Sequence, residues 1–215
     1  MNNQDSIGFW KSIVSKPNLE SKDTKFGNSD SSIYDCNFIL QYADEKSEIL
    51  DLGSGGGLIV NKLYDKVKNI ICVELFEELS QFIVKSPNIS VVNKNLFDYQ
   101  PRQNEKFDLI TVFGVLSYFN EQETLKLCNK YIKYLKTGGK IIIKQQFGVN
   151  ETVTIQNFSK ELNGFYFAQY RTLEQEQEML RQAGFEILEI TDIYPPEHNK
   201  WENTHYFAIV ATKLP

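Results

Sequence analysis

Short apolar runs alternate along the chain with segments whose apolar residues recur every three or four positions, the signatures of strand and amphipathic helix. Strand-type runs fall at Ile49–Leu52, Asn69–Glu74, Ile89–Val92, Phe107–Phe113, Lys140–Gln145, Phe185–Ile193 and His205–Thr212. The first five are nearly continuous in apolar residues, as parallel strands covered on both faces require. Two of the intervening helices carry their own start and stop signals. Asn120 followed by Glu123 predicts a capped helix with Leu125, Cys128, Ile132 and Leu135 facing inward, ended by Gly138 and Gly139. Thr172 followed by Gln175 predicts another, which buries Met179, Leu180 and Ala183 and stops at Gly184. Shorter helices are expected around Ile7 to Val14 and Ile33 to Tyr42. Between them Ser15 to Ser32 is polar and reads as a loop or lid.

This order predicts an α/β fold, a three-layer doubly wound sheet with right-handed crossovers. The link from Ile193 to His205 holds Pro195 and Pro196 and shows no helical pattern, so the last of the seven strands should run antiparallel. The 215 residues suit one such domain with a single sizeable core. We expect an N-terminal helical or lid segment over 1–47 and a sheet domain over 48–215, with an insertion at about 147–171. Phe147, Phe158, Phe165, Tyr166, Phe167 and Tyr170 crowd that insertion, which reads either as a binding lid or as a small helix covering the sheet edge.

Composition narrows the partners. No apolar run approaches the ~18 residues of a membrane helix, and Met1 to Lys16 lack the basic-then-apolar order of a secretion signal. A cytoplasmic protein without membrane association is the expectation. The net charge of −5, with lysines interleaved among acids, argues against nucleic acid and for a small-molecule partner. Cys36, Cys72 and Cys128 are odd in number and far apart, so they read as buried small hydrophobes. The chain has only two histidines, His198 and His205, and no metal centre is expected.

The chemistry concentrates in Ile49-Leu-Asp-Leu-Gly-Ser-Gly-Gly-Gly-Leu. A buried strand runs into Gly53, Gly55 and Gly57, where the backbone can turn sharply and approach a ligand. Glu74 closes the next strand, where a carboxylate can accept from the hydroxyls of an adenosine ribose. Nicotinamide and S-adenosylmethionine proteins both pair a glycine turn with such an acid. The dinucleotide fingerprint needs a third glycine where this chain has Leu58, which disfavours a nicotinamide-dependent oxidoreductase.

Asp51, Gly53, Gly55 and Gly57 resemble motif I of class I S-adenosylmethionine-dependent methyltransferases. Further resemblances follow in family order. Lys106-Phe-Asp-Leu-Ile-Thr-Val-Phe-Gly-Val-Leu-Ser-Tyr-Phe is similar to the fourth-strand motif, and Leu135-Lys-Thr-Gly-Gly-Lys-Ile-Ile-Ile to the glycine pair before the fifth strand. Tyr170-Arg-Thr-Leu through Ala183-Gly-Phe-Glu is similar to the family's last helix and sixth strand. The resemblance covers roughly residues 45 to 215 and implies S-adenosylmethionine as cofactor and S-adenosylhomocysteine as product. It implies that Asp51, Gly53, Ser54, Gly55 and Gly57 approach the methionine part. Glu74 would hold the ribose, Leu75 would pack on the adenine, and Asn95 and Leu96 would lie at the adenine edge. Phe113 and Gly114 would sit beside the methionine moiety. Gly56, Leu58 and Leu63 read as turn geometry and packing.

Ligands of open α/β sheets bind beyond the carboxyl ends of the parallel strands. Topology therefore gathers Tyr118, Gln146, His198, Trp201 and His205 at one edge: Gln146, His198 and Trp201 as substrate-binding residues, Tyr118 to orient an acceptor, and His205, with His198 as the other candidate, to act as base for a hydroxyl. The fourth strand lacks the motif of amino-methylating DNA enzymes, and no Pro-Cys nucleophile occurs. The ending Trp201…Thr204-His205-Tyr206-Phe207 faintly resembles bacterial methyltransferases that modify surface sugars. Methyl transfer to a small polar acceptor follows, with the oxygen of a sugar or of a phosphate-containing glycan precursor as the candidate atom. A non-catalytic binding protein on the same fold is the alternative.

Overall fold

The computed structural model describes residues 3–24, 31–159, 164–195, 198 and 202–214. Strands β1 (Glu48–Leu52), β2 (Asn69–Glu74), β3 (Ile89–Asn93), β4 (Phe107–Phe113) and β5 (Leu135–Gly148) pair in parallel. Two strands, β6 (Val153–Ser159) and β7 (Gly164–Tyr170), form a separate hairpin. The chain then returns to the main sheet as β8 (Phe185–Thr191) and β9 (Thr204–Lys213). The sheet order is β3-β2-β1-β4-β5-β9-β8, with β9 antiparallel to both neighbours. This is the seven-stranded, last-strand-reversed sheet that the residue pattern predicts.

Alternation along each strand divides the apolar residues between two faces. Leu50, Ile110, Ile141, Ile143 and Ile209 share one core with Phe9 and Ile13 of α1 (Asn3–Val14). Ile49, Ile70, Cys72, Leu109 and Ile142 share the other with Cys36 and Phe38 of α2 (Ser32–Ile39). Each fully buried aliphatic contributes roughly 1.5–3 kcal/mol, so both layers are held by burial. The three cysteines are buried and free. Short helices α3 (Val60–Leu63) and α4 (Glu77–Ser80) follow β1 and β2.

The two capped helices form where expected. In α5 (Glu121–Tyr131) the Asn120 side chain accepts from the Glu123 amide at 2.9 Å, and Glu123 accepts in return from the Asn120 amide at 3.1 Å. In α6 (Leu173–Gln182) Thr172 and Gln175 make the same reciprocal pair.

Two details differ from expectation. The helix after β4 ends at Tyr131, and Leu135 already pairs with Phe107 in the sheet. Gly138 and Gly139 sit inside the irregular start of β5, where the register jumps from Phe107↔Leu135 to Leu109↔Lys140. Ile132 stays helical in a short 3-10 turn, Ile132–Tyr134, and only Leu135, whose spacing fits a helix equally well, is taken by strand pairing. The insertion, for its part, holds a β-hairpin rather than a small helix. Strand β5 runs on to Gly148 opposite Thr204 of β9, and the hairpin then folds back to pack Tyr166 on α1, 5.2 Å from the Phe9 ring. Phe147, Tyr166, Phe167 and Tyr170 are buried, while Phe158 is exposed. Among the described residues no helix is long and apolar enough to cross a membrane.

Candidate active site

The carboxyl ends of β1, β2, β4 and β5 meet α1 and α2 around a cavity of about 290 Å³. At one end lies the glycine turn. Gly53, at φ +77°, donates from its amide to Val73 O at 2.7 Å, which folds the chain across the end of β2. A Cβ there would stand 2.5 Å from Val115 of the loop after β4, so only glycine lets the two loops touch.

Glu74, 7% exposed, lines the same end. Its Oε2 accepts from the Gly55 amide at 2.9 Å and its Oε1 from the Phe76 amide at 3.0 Å. Burial holds this carboxyl above the ordinary range, against the lowering effect of the backbone amides of Phe76, Gly55 and Leu75. An ionised carboxylate has about four accepting sites, so room remains for a ribose hydroxyl. Asp51 is likewise pushed up by burial, and the Thr111 hydroxyl donates to its Oδ1 at 2.6 Å.

Ser54, Leu75, Leu96 and Phe113 line the cavity beside these groups. Gly114 lines it at φ +68°, and a Cβ built there would meet no atom within 4 Å, so open space lies against this backbone. Asn95 also lines the cavity; its Oδ1 accepts from the Phe97 amide at 2.9 Å, and its Nδ2 reaches Asn3 Oδ1 at 3.4 Å. Gly57 is absent from the lining. A Cβ there would meet Ile83 and Asn61, which makes it a packing position, while Leu58, expected only to pack, does line the cavity. Leu63 is buried in the core. Gly56 packs outward, where a Cβ would stand 2.7 Å from Ser21 Cα in a short helical turn, Ser21–Thr24.

The far end is richer than the sequence suggested. Lys144 Nζ donates to Tyr194 Oη at 2.7 Å and lies 3.3 Å from Asp35 Oδ2, while Tyr194 Oη donates to Asp35 Oδ1 at 2.5 Å. The ammonium also stands 5.1 Å from the Phe113 ring and 5.7 Å from that of Tyr206. Burial pushes the Tyr194 and Tyr118 hydroxyls far above the phenol range and that of Tyr206 up to about 12, so all three remain protonated at neutral pH.

Three of the acceptor-side residues expected from sequence come together here: Tyr118, Gln146 and His198. Gln146 Nε2 donates to Thr204 Oγ1 at 3.1 Å, and His198 Nδ1 is 3.1 Å from Ser31 Oγ. His205 does not join them. It belongs to the opposite face of β9 from Tyr206, outside the cavity lining, with its Nε2 2.6 Å from Asp192. Trp201 lies outside the described residues. Sequence reasoning missed Lys144, Gln145, Asp35 and Tyr194. For the first two a signal existed, because three polar residues end the apolar run Ile141–Ile143 at the ligand edge.

The profile of a family described as a methyltransferase domain matches residues 35–190. Sequence comparison with curated proteins gives no significant match. Among solved structures, the chain is similar to an S-adenosylmethionine-dependent methyltransferase of Leishmania major (TM-score 0.75, 14% identity, covering 97% of this chain and 82% of that one). A second, from Methanosarcina mazei, gives a TM-score of 0.66 at 19% identity, covering 82% and 97%. A glycopeptide N-methyltransferase complexed with S-adenosylmethionine gives 0.67 at 11% identity, covering 88% and 96%. Glu74, the glycine turn and the open face of Gly114 fit that cofactor. The chain belongs to the methyltransferase-domain family, as a class I S-adenosylmethionine-dependent methyltransferase.

Proposed function

We propose that the protein methylates a hydroxyl oxygen of a small polar acceptor, a sugar unit of a glycan precursor, in the cytoplasm. The division of the cavity carries this reading: Glu74 and the glycine turn stand at one end, and Tyr118, Lys144, Gln146 and His198 at the other. S-adenosylmethionine supplies a methyl group already activated on a sulfonium. Alignment, exclusion of water and removal of a proton are left to the protein. The carboxylates in the lining (Asp35, Asp51, Glu74) outnumber the ammonium groups (Lys94, Lys144), and Lys144 is already paired with Asp35. At the acceptor end the one lining ammonium among the described residues, Lys144, is held by Asp35, which favours a neutral sugar hydroxyl over a phosphate oxygen there.

A hydroxyl acceptor needs a base. His198 is the better candidate because it lines the cavity, as His205 does not. With Nδ1–H donating to Ser31 Oγ, Nε2 is left to accept the proton. Tyr118 orients the acceptor, and segment 1–47 closes the site through Asn3, Ser6, Trp10, Thr24 and Asp35, all in its wall.

The test is incubation of the purified protein with methyl-tritiated S-adenosylmethionine and a panel of neutral methyl glycosides, with nucleotide-activated sugars and sugar phosphates for comparison. We expect label on a sugar oxygen. Label that appears only on protein amines or nucleic acid would overturn the reading.

A further inference from the structure

Gln145 is 1% exposed, lines the cavity, and neither its Nε2 nor its Oε1 has a hydrogen-bond partner among the described residues. The statement holds whichever way the amide is flipped, since both atoms are unpaired. Buried primary amides rarely stay unpaired, because each lost partner leaves a desolvated dipole. The contrast with its neighbours on β5 is sharp: Lys144 is held by Tyr194 and Asp35, and Gln146 by Thr204. Strand alternation turns Gln145 to the face of Ile143 and Phe147, the face that also carries Tyr118, Tyr166 and Tyr170.

Its place in the sheet separates it from the cofactor's ribose. Glu74 ends β2, and β5 lies three strands away, roughly 14 Å at ~4.8 Å per strand. Phe113, beside the methionine end, pairs with Lys144, so Gln145 stands one residue beyond that contact on the acceptor side.

We propose that the Gln145 carboxamide is the acceptor-recognition group and that it grips two adjacent hydroxyls of a neutral sugar ring. This rests on the methyltransferase reading above and names its substrate class. A primary amide offers a donor and an acceptor side by side. One hydroxyl of a vicinal pair donates to Oε1 while its neighbour accepts from Nε2–H. A carboxylate or phosphate would face Oε1 with like charge, and an ammonium would face the N–H group. The surroundings suit a sugar: Tyr166 Oη and Tyr170 Oη are 2.8 Å apart, and the Trp10 and Tyr118 rings, 5.7 Å apart, offer apolar faces.

The test uses full-length protein saturated with S-adenosylhomocysteine. Saturation-transfer NMR measures binding of the methyl glycosides of glucose, galactose, mannose, rhamnose and N-acetylglucosamine, with an N-acetylated dipeptide amide as comparison. At least one glycoside should bind, and its affinity should fall tenfold or more in Gln145→Leu and in Gln145→Met. Affinity for S-adenosylhomocysteine, by calorimetry, should stay within twofold in the same variants, which also reports that they fold. Should one variant fail to bind it while the other does, the folded one decides. A tenfold loss of S-adenosylhomocysteine affinity in both variants would assign Gln145 to the cofactor and overturn the proposal. So would glycoside binding indifferent to Gln145, preference for the dipeptide amide, or no glycoside binding at all. Failure of the wild-type protein to bind S-adenosylhomocysteine would instead sink the underlying methyltransferase reading.

Discussion

A buried carboxylate that accepts from the Gly55 and Phe76 amides is a staple across the glycine turn, and on the reading proposed above it is also the ribose ligand. Glu74→Ala should therefore weaken S-adenosylhomocysteine binding by about 1–3 kcal/mol, the range for a lost charged acceptor, as read by calorimetry. The same burial sets a pH dependence. The folded carboxyl lies above its ordinary value of 4.5, so the apo protein holds more protons than the unfolded chain in the interval above that value, and stability from this group falls as pH rises through it. Ribose hydroxyls prefer the ionised form. Cofactor affinity should therefore weaken on acidification, and Glu74→Gln should flatten that slope in a calorimetric pH series. At the other end, His198→Ala should lower turnover while leaving S-adenosylhomocysteine affinity unchanged, and His205→Ala should leave both near wild type; the reverse result would return the base to His205.

Among the elements, the hairpin insertion is fastened by Arg171, which is 1% exposed. Its Nε donates to Glu176 at 2.9 Å, its Nη1 to Phe119 O at 2.8 Å and its Nη2 to Leu116 O and Thr124 Oγ1, both at 3.1 Å. One side chain thus locks the end of β7 and the start of α6 to the loop that carries Tyr118. Arg171→Ala would leave Glu176 buried and uncompensated and should cost about 3–5 kcal/mol, measurable by urea unfolding. No local pattern in the sequence foretells this, because three of the four partners, two of them backbone carbonyls, lie some fifty positions away. What was legible is what is local: the caps at Asn120 and Thr172, the glycine turn, and Glu74 at a strand end. Gly138 and the long end of β5 misled because their state is decided by pairing with β4 and β9, not by their own neighbours.

For the molecule as a whole, the seven strands and the reversal of the last were readable from the sequence pattern, since a link without a crossover helix admits few solutions. The N-terminal wall was not, because a polar stretch says nothing about which surface it meets. Phe9 and Ile13 are buried against the hairpin and sheet, so Phe9→Ala should cost about 3–5 kcal/mol by the same unfolding assay. It should also loosen a cavity that α1 helps to enclose. Binding of S-adenosylhomocysteine should slow amide exchange at Ser21–Thr24, and an unchanged exchange rate there would separate that turn from the donor end.

The Ser21–Thr24 turn rests against Gly55 and Gly56, with Thr24 and Ser21 where their Cβ atoms would stand. Thr24 also lines the cavity, so the turn is the element beside the donor end that would lift if release, rather than chemistry, sets the steady pace. The expected trace is a burst: a rapid first turnover followed by a slower regime that shortening the turn would accelerate.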